Sequence, residues 1–254
     1  MPARTSARIV VGHNEVTGAI MNTAEFFQQL NARIAKYDLL CHPFYKAWAA
    51  GELTRKDLRE YAQDYYHHVE AFPSYLAAFG LRLDEGELRR AVLANMCDEK
   101  GAERASGKES APHSELWLDF AEGMGSSRNL SWHTPVPEIL QLTKHFQRVA
   151  SEGTPEEALA SFYAYESQVP RVAQEKERGL RAMYGADDKT CGYFTLHATA
   201  DVYHSRVWSK HLEKRLTARP ETAEAALDAA ENAAKALWHA LDGIEARRTA
   251  LAAA

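Results

Sequence analysis

Positive charge is in short supply in this 254-residue chain, where 30 lysines and arginines face 35 aspartates and glutamates, for a net charge of −5. That balance offers no basic field for nucleic acid. Cysteine is scarcer still. Cys41, Cys97 and Cys191 form no C-x-x-C pair and no disulfide framework, which suits a reducing cytoplasm. No stretch approaches the roughly 20 apolar residues that a membrane-spanning helix needs, and Ile9-Val10-Val11 behind Arg4 and Arg8 is too short for a signal segment. Alternating β patterns of useful length, internal repeats and Pro/Gly/Ser linkers between two cores are all missing. The expectation is a cytoplasmic protein with no membrane and no nucleic-acid partner.

What is present is helical periodicity, with 46% hydrophobic residues to fill a core. Residues 1–20 lack periodicity and read as a loose N-terminal arm; residues 21–250 read as one helical-bundle domain. Phe26, Leu30, Ile34 and Tyr37 mark a first helix. Pro43 kinks or restarts the chain, Gly51 closes that segment, and Thr54 with Asp57 opens a helix ending near Gly80. A third runs from Glu85 to Glu99. After a polar loop over 100–112, a short helix spans His113 to about Glu122, and Thr134-Pro135 starts another that ends near Gly153. Thr154-Pro155-Glu156-Glu157 is a strong helix start, and this long helix is expected to reach Tyr184 with Pro170 inside it. Asp187 or Asp188 caps the next, ending near Ala218, and a final helix with small residues at its face follows Pro220. Seven or eight helices fit one all-α bundle.

The chemistry concentrates in the stretch from Glu166 to His204. His197, Asp201 and His204 stand at i, i+4 and i+7, so they fall within about 60° on one helical face. Two imidazoles and a carboxylate among apolar and aromatic neighbours make poor core but suitable ligands for a first-row metal. Glu166, Glu99 and His113 bring the set to six, the number and mix that a dinuclear site in a helical bundle uses. A solvated polar stripe, or a capping Asp with two satisfied core histidines, is the bland alternative. Pro170 lacks the N–H that would bond the Glu166 carbonyl, so the helix should be distorted beside that acid. Lys176, within Glu175-Lys176-Glu177-Arg178, reads on pattern alone as part of a solvated face. Tyr45, Tyr61 and Tyr165 read as core tyrosines with bonded hydroxyls.

Several motifs in order match a known family: His42-Pro43-Phe44-Tyr45-Lys46-Ala47-Trp48, Gly51-Glu52-Leu53-Thr54, Tyr61 to His68, Asp98-Glu99, His113-Ser114-Glu115-Leu116-Trp117, Tyr163 to Pro170, and Tyr193 to His204. From about residue 24 to 215 the chain resembles the CADD-like proteins (named for the Chlamydia protein associating with death domains), a branch of the heme-oxygenase-like di-metal oxidases. The resemblance implies a seven-helix heme-oxygenase-like bundle of the TenA/PqqC type, and often a homodimer. It implies two transition-metal ions, Fe/Fe or Mn/Fe, on Glu99, His113, Glu166, His197, Asp201 and His204, with dioxygen as co-substrate and an external reductant.

The family is associated with para-aminobenzoate for folate, made by oxidative excision of an internal tyrosine side chain. Carried over by motif, Tyr45 is the sacrificed ring and so the substrate, Lys176 the amino donor, and Tyr61 and Tyr165 nearby redox tyrosines; each molecule would then act once. One departure stands out. Glu99 and His113 are fourteen residues apart, wider than the family's spacing, and Gly101 to Pro112 reads as a loop insertion that leaves Glu103 and Glu109 as alternative carboxylates. Two other readings compete. One is a TenA/PqqC-like enzyme of other cofactor metabolism, a hydrolase or cofactor-free oxidase in which Cys191 or Cys97 could be a nucleophile. The other is a non-catalytic interaction bundle.

Overall fold

A computed structural model describes residues 21–101 and 111–252. The expected arm at 1–20, and Glu103 and Glu109, lie outside the described residues. Those described form ten α-helices and two short 3-10 turns, with no strand among them: α1 (Thr23–Ala35), α2 (Pro43–Ala50), α3 (Arg55–Arg82), α4 (Glu87–Glu99), α5 (His113–Gly123), α6 (Pro137–Glu152), α7 (Pro155–Glu166), α8 (Val169–Tyr184), α9 (Asp188–Ala218) and α10 (Ala223–Ala252). None is long and apolar enough to cross a membrane.

The count exceeds seven for local reasons. His42 accepts a hydrogen bond from the Phe44 amide and Pro43 occupies the first turn, so α2 starts afresh; Gly51, at φ 73°, ends it in the left-handed conformation glycine adopts without steric cost. Thr54 and Asp57 then close a reciprocal capping box that opens α3. The single long helix expected from Pro155 to Tyr184 is in fact two. It breaks at Ser167-Gln168, just before Pro170, whose missing N–H leaves the Glu166 carbonyl without its helical donor. Gln168 stitches the break: its Oε1 accepts from the Leu39 amide (3.1 Å) and its Nε2 donates to the Ala164 carbonyl (3.2 Å). Helix α6 begins at Pro137, two residues beyond the expected Thr134-Pro135 start.

Helices α4 and α5 each pack on α3, α9 lies across α5, α7 and α8, and α10 is laid along α6 and α7. Fully buried Ala226, Ala230, Ala233, Ala234 and Ala240 on α10, and Ala158 and Ala160 on α7, let those helices approach closely. This frame places the C-terminus of α4, the N-terminus of α5, the end of α7 and the middle of α9 around one interior space.

Candidate metal centre

Six side chains converge there, none more than 5% exposed. They form two groups of three, Glu99 with His113 and His197, and Glu166 with Asp201 and His204, whose ligand atoms in each group all lie within 4.8 Å of one another. Fourteen residues of sequence do not part Glu99 from His113, because one ends α4 and the other begins α5. His113 Nδ1 lies 2.8 Å from Glu99 Oε2. Both atoms are of ligand type, and with His197 they lie close enough together to share one cation.

The supporting contacts fix which atoms face inward. His197 Nδ1 donates to the Tyr193 carbonyl at 2.7 Å, leaving Nε2 for the cluster. His204 Nδ1 sits 3.2 Å from Asp201 Oδ1, while its Nε2 lies 3.5 Å from Asp98 Oδ2. Glu166 is held by both oxygens: Asn95 Nδ2 donates to Oε1 at 3.1 Å, and Trp208 Nε1 donates to Oε2.

The electrostatics describe a cluster short of positive charge. Burial pushes the Glu166 carboxyl up to about 8, with Asp201 and Glu99 adding to the rise against the opposing pull of His204. Burial disfavours the charged His204 imidazole, but the hydrogen bond to Asp201 and the field of Glu166, Asp201 and Glu99 outweigh it and lift that ring to about 9. Burial also works against the Glu99 charge, yet His113, His197 and His204 together bring its carboxyl below the usual range. Burial lowers His197 and favours the neutral form in which imidazole binds metal. A buried group of three carboxylates and three imidazoles, in two sets of three with converging ligand atoms, fits a pair of divalent first-row ions.

A second polar cluster adjoins the first. Lys176 is buried, contrary to the solvated-face pattern of its segment, because it projects from α8 between α2 and α3. Its Nζ donates to the Tyr45 hydroxyl at 2.7 Å and the Tyr61 hydroxyl at 2.6 Å, and those hydroxyls are 3.0 Å apart. Burial holds the amine well below the usual lysine range and both phenols well above theirs, which favours the neutral form of all three.

Tyr165 and Tyr193 form the wall between the two clusters. They line both a cavity of about 20 Å³ beside Lys176 and Tyr45 and one of about 10 Å³ beside Glu99, Glu166, His197 and Asp201. The Tyr193 ring stacks on His197 with centroids 3.9 Å apart.

The sequence reading passed over Tyr193, Trp208 and Tyr65. The first two continue the α9 stripe, four residues before His197 and four after His204, and that spacing was the available signal. Tyr65 follows Tyr61 by one turn and stacks on it at 5.4 Å. Cys191 is fully buried, and burial pushes its thiol up, which suits a structural cysteine rather than a nucleophile.

Comparison with known proteins agrees with this geometry. The family model described as "Iron-containing redox enzyme" matches residues 59–238. The chain belongs to that family. It is an oxidoreductase with a heme-oxygenase-like fold, as the motifs led one to expect. It is 35% identical over 219 residues to the 4-aminobenzoate synthase of Chlamydia trachomatis, covering 85% of this chain and 90% of that one. To the 4-aminobenzoate synthase of Nitrosomonas europaea it is 36% identical over 235 residues, covering 88% and 92%. Among solved structures, a TenA homolog from Pseudomonas syringae pv. tomato superposes with a TM-score of 0.73 at 18% identity, over 90% of this chain and 97% of that chain.

Proposed function

We propose that this iron-family enzyme makes 4-aminobenzoate from its own Tyr45, with Lys176 as nitrogen donor. The observation that carries the reading is the 2.7 Å contact between Lys176 Nζ and the Tyr45 hydroxyl oxygen. In 4-aminobenzoate the amino and carboxyl groups are para, as are the hydroxyl and Cβ of tyrosine. The lysine nitrogen therefore already lies beside the ring position that the amino group must occupy. A neutral amine has the lone pair that such a transfer requires, and burial favours that state for Lys176.

Space supports an internal substrate. The cavity between Lys176 and the wall of Tyr165 and Tyr193 measures about 20 Å³, room for about one water-sized molecule and not for a second aromatic ring. Glu99, His113 and His197 would hold one ion, and Glu166, Asp201 and His204 the other. When bound, an Fe/Fe or Mn/Fe pair supplies dioxygen reduction and the oxidising power to break the tyrosine side chain. Tyr165 and Tyr193 separate that chemistry from Lys176, Tyr61 holds the amine against Tyr45, and an external reductant supplies the electrons that dioxygen reduction consumes beyond those the excision yields.

The test is isotopic. Protein produced with ¹⁵N-lysine, loaded anaerobically with Fe(II) or with Mn(II) and Fe(II), is exposed to dioxygen with a reductant. The expected result is ¹⁵N-4-aminobenzoate, at no more than one per chain, with the missing side chain mapped to Tyr45. Product without the label would remove Lys176 from the role, and product with Tyr45 intact would overturn the internal substrate. Tyr45→Phe should retain its ions and release nothing.

A further inference from the structure

A ring cut from Tyr45 starts out enclosed. The cavity beside it is walled by aromatic side chains of α3, α5, α7 and α9, and by Leu39 together with Val169 and Val172 of α8. Helices α3 and α9 run unbroken for 28 and 31 residues, so displacing either wall drags a long helix and all its packing. Leu39 is different, because it belongs to the three-residue 3-10 turn that joins α1 to α2. Both ends of that connection rest on α10. The Tyr37 ring packs on Trp238 (centroids 6.4 Å apart), and the His42 ring lies 4.7 Å from the same indole with its Nε2 3.1 Å from Asp242 Oδ1. Its middle is fastened to α8 and the joint before it by two polar contacts. The Leu39 amide donates to Gln168 Oε1 at 3.1 Å in the interior, and Arg171 donates to the Asp38 carboxylate at 3.2 Å on the surface. The segment can therefore lift off α8 between two anchored ends, giving up one hydrogen bond, one exposed ion pair and the burial of Leu39.

We propose that residues 38–41 are a strap that lifts to let 4-aminobenzoate out, with Gln168 and Arg171 as its fasteners. This rests on the internal-substrate reading above. Lifting withdraws Leu39 from the cavity wall and parts Asp38 from Arg171. The guanidinium left at the mouth then pairs with the carboxylate of the departing product. Release is thus a conformational step separate from the chemistry.

The experiment has two arms, both on the full-length protein. Hydrogen exchange of the ion-free form reads the strap through the Cys41 and His42 amides, which bond to the Asp38 and Leu39 carbonyls. Gln168→Met should speed their exchange by about 3- to 10-fold, the worth of one hydrogen bond, and leave the amides of 193–197 in α9 unchanged. Arg171→Ala, at a residue outside the cavity lining, should act in the same direction by a smaller factor. The second arm locks the strap. Asp38→Cys and Arg171→Cys are made in a chain whose exposed Cys41 and Cys97 are replaced by serine, and the new pair is joined with dibromobimane. Loaded with Fe(II), or with Mn(II) and Fe(II), and given dioxygen and a reductant, the joined protein should hold its 4-aminobenzoate while native and yield it on denaturation. The same variant left unjoined should release it. Release from the joined native protein at the wild-type rate would overturn the proposal, as would exchange that neither substitution moves. Wild type that yields no 4-aminobenzoate, native or denatured, would instead overturn the internal-substrate reading and the exit role with it.

Discussion

Replacing Lys176 with methionine keeps the length and volume of the side chain and removes only its amine. In the unfolded chain a lysine titrates near about 10.4; in the folded protein burial holds Lys176 well below its ordinary value. Between those two values the unfolded state binds the extra proton, so the wild-type protein gains stability as pH rises, and the gain ends once pH passes the unfolded value. With one proton at stake the slope approaches about 1.4 kcal/mol per pH unit. The variant lacks this dependence. It also leaves no orphaned hydroxyl, since Tyr45 and Tyr61 remain 3.0 Å apart and hydrogen-bonded to each other. Denaturant unfolding of both ion-free proteins between about pH 7 and about pH 9.5 separates the effect from every other titration, because those groups are common to both. Lys176→Met should be the more stable protein near neutrality, with an advantage that shrinks steadily toward alkaline pH. Parallel stability curves would show that the amine is charged in the folded state, and the neutral-donor argument would fall with it.

Trp208→Phe removes the N–H that Glu166 Oε2 accepts and should cost about 1–3 kcal/mol of stability; calorimetry on the ion-free protein checks this, and a loss below a few tenths would mean another donor satisfies the acid. Gly179→Ala puts a methyl group 2.9 Å from Cδ1 of Trp48, whose indole donates to the Lys176 carbonyl. An overpacking cost of about 1–3 kcal/mol is expected, with the shift in Trp48 visible as altered tryptophan fluorescence; an unperturbed spectrum would place that indole elsewhere. Asn95→Ala takes the remaining donor from Glu166 and, combined with Trp208→Phe, should cost more or less than the sum of the two, since both bond one carboxylate. Strict additivity in the double-mutant cycle would separate them.

Much of the fold was legible because its signals are local. The capping boxes at Thr54 and Thr154 and the cap at Asp187 each declare a helix start with atoms a few residues apart. The proline at 170 was legible as a distortion but not as a full break, since that outcome depends on Gln168 reaching across to Leu39, a contact 129 residues distant. The α9 stripe announced itself by period alone. The partnership of Glu99 with His113 rested on motif order across fourteen residues of sequence, and only the packing of α4 and α5 on α3 brings the end of one to the start of the other. Lys176 shows the limit most clearly. Its flanking charges are those of a surface helix, and what buries it are Tyr45 and Tyr61, more than a hundred residues away.

The dense surroundings of Tyr45 carry a consequence for the fate of the molecule. Its ring is 3% exposed and packs against Phe44, Trp48 and Tyr61. A chain that has surrendered that ring keeps a hole at its centre, and vacating an aromatic site costs about 3–5 kcal/mol, a large share of the margin by which an ordinary domain stays folded. Spent copies would thus open first and meet proteases first. Discarding them would require no tag, only the void left where the product had been.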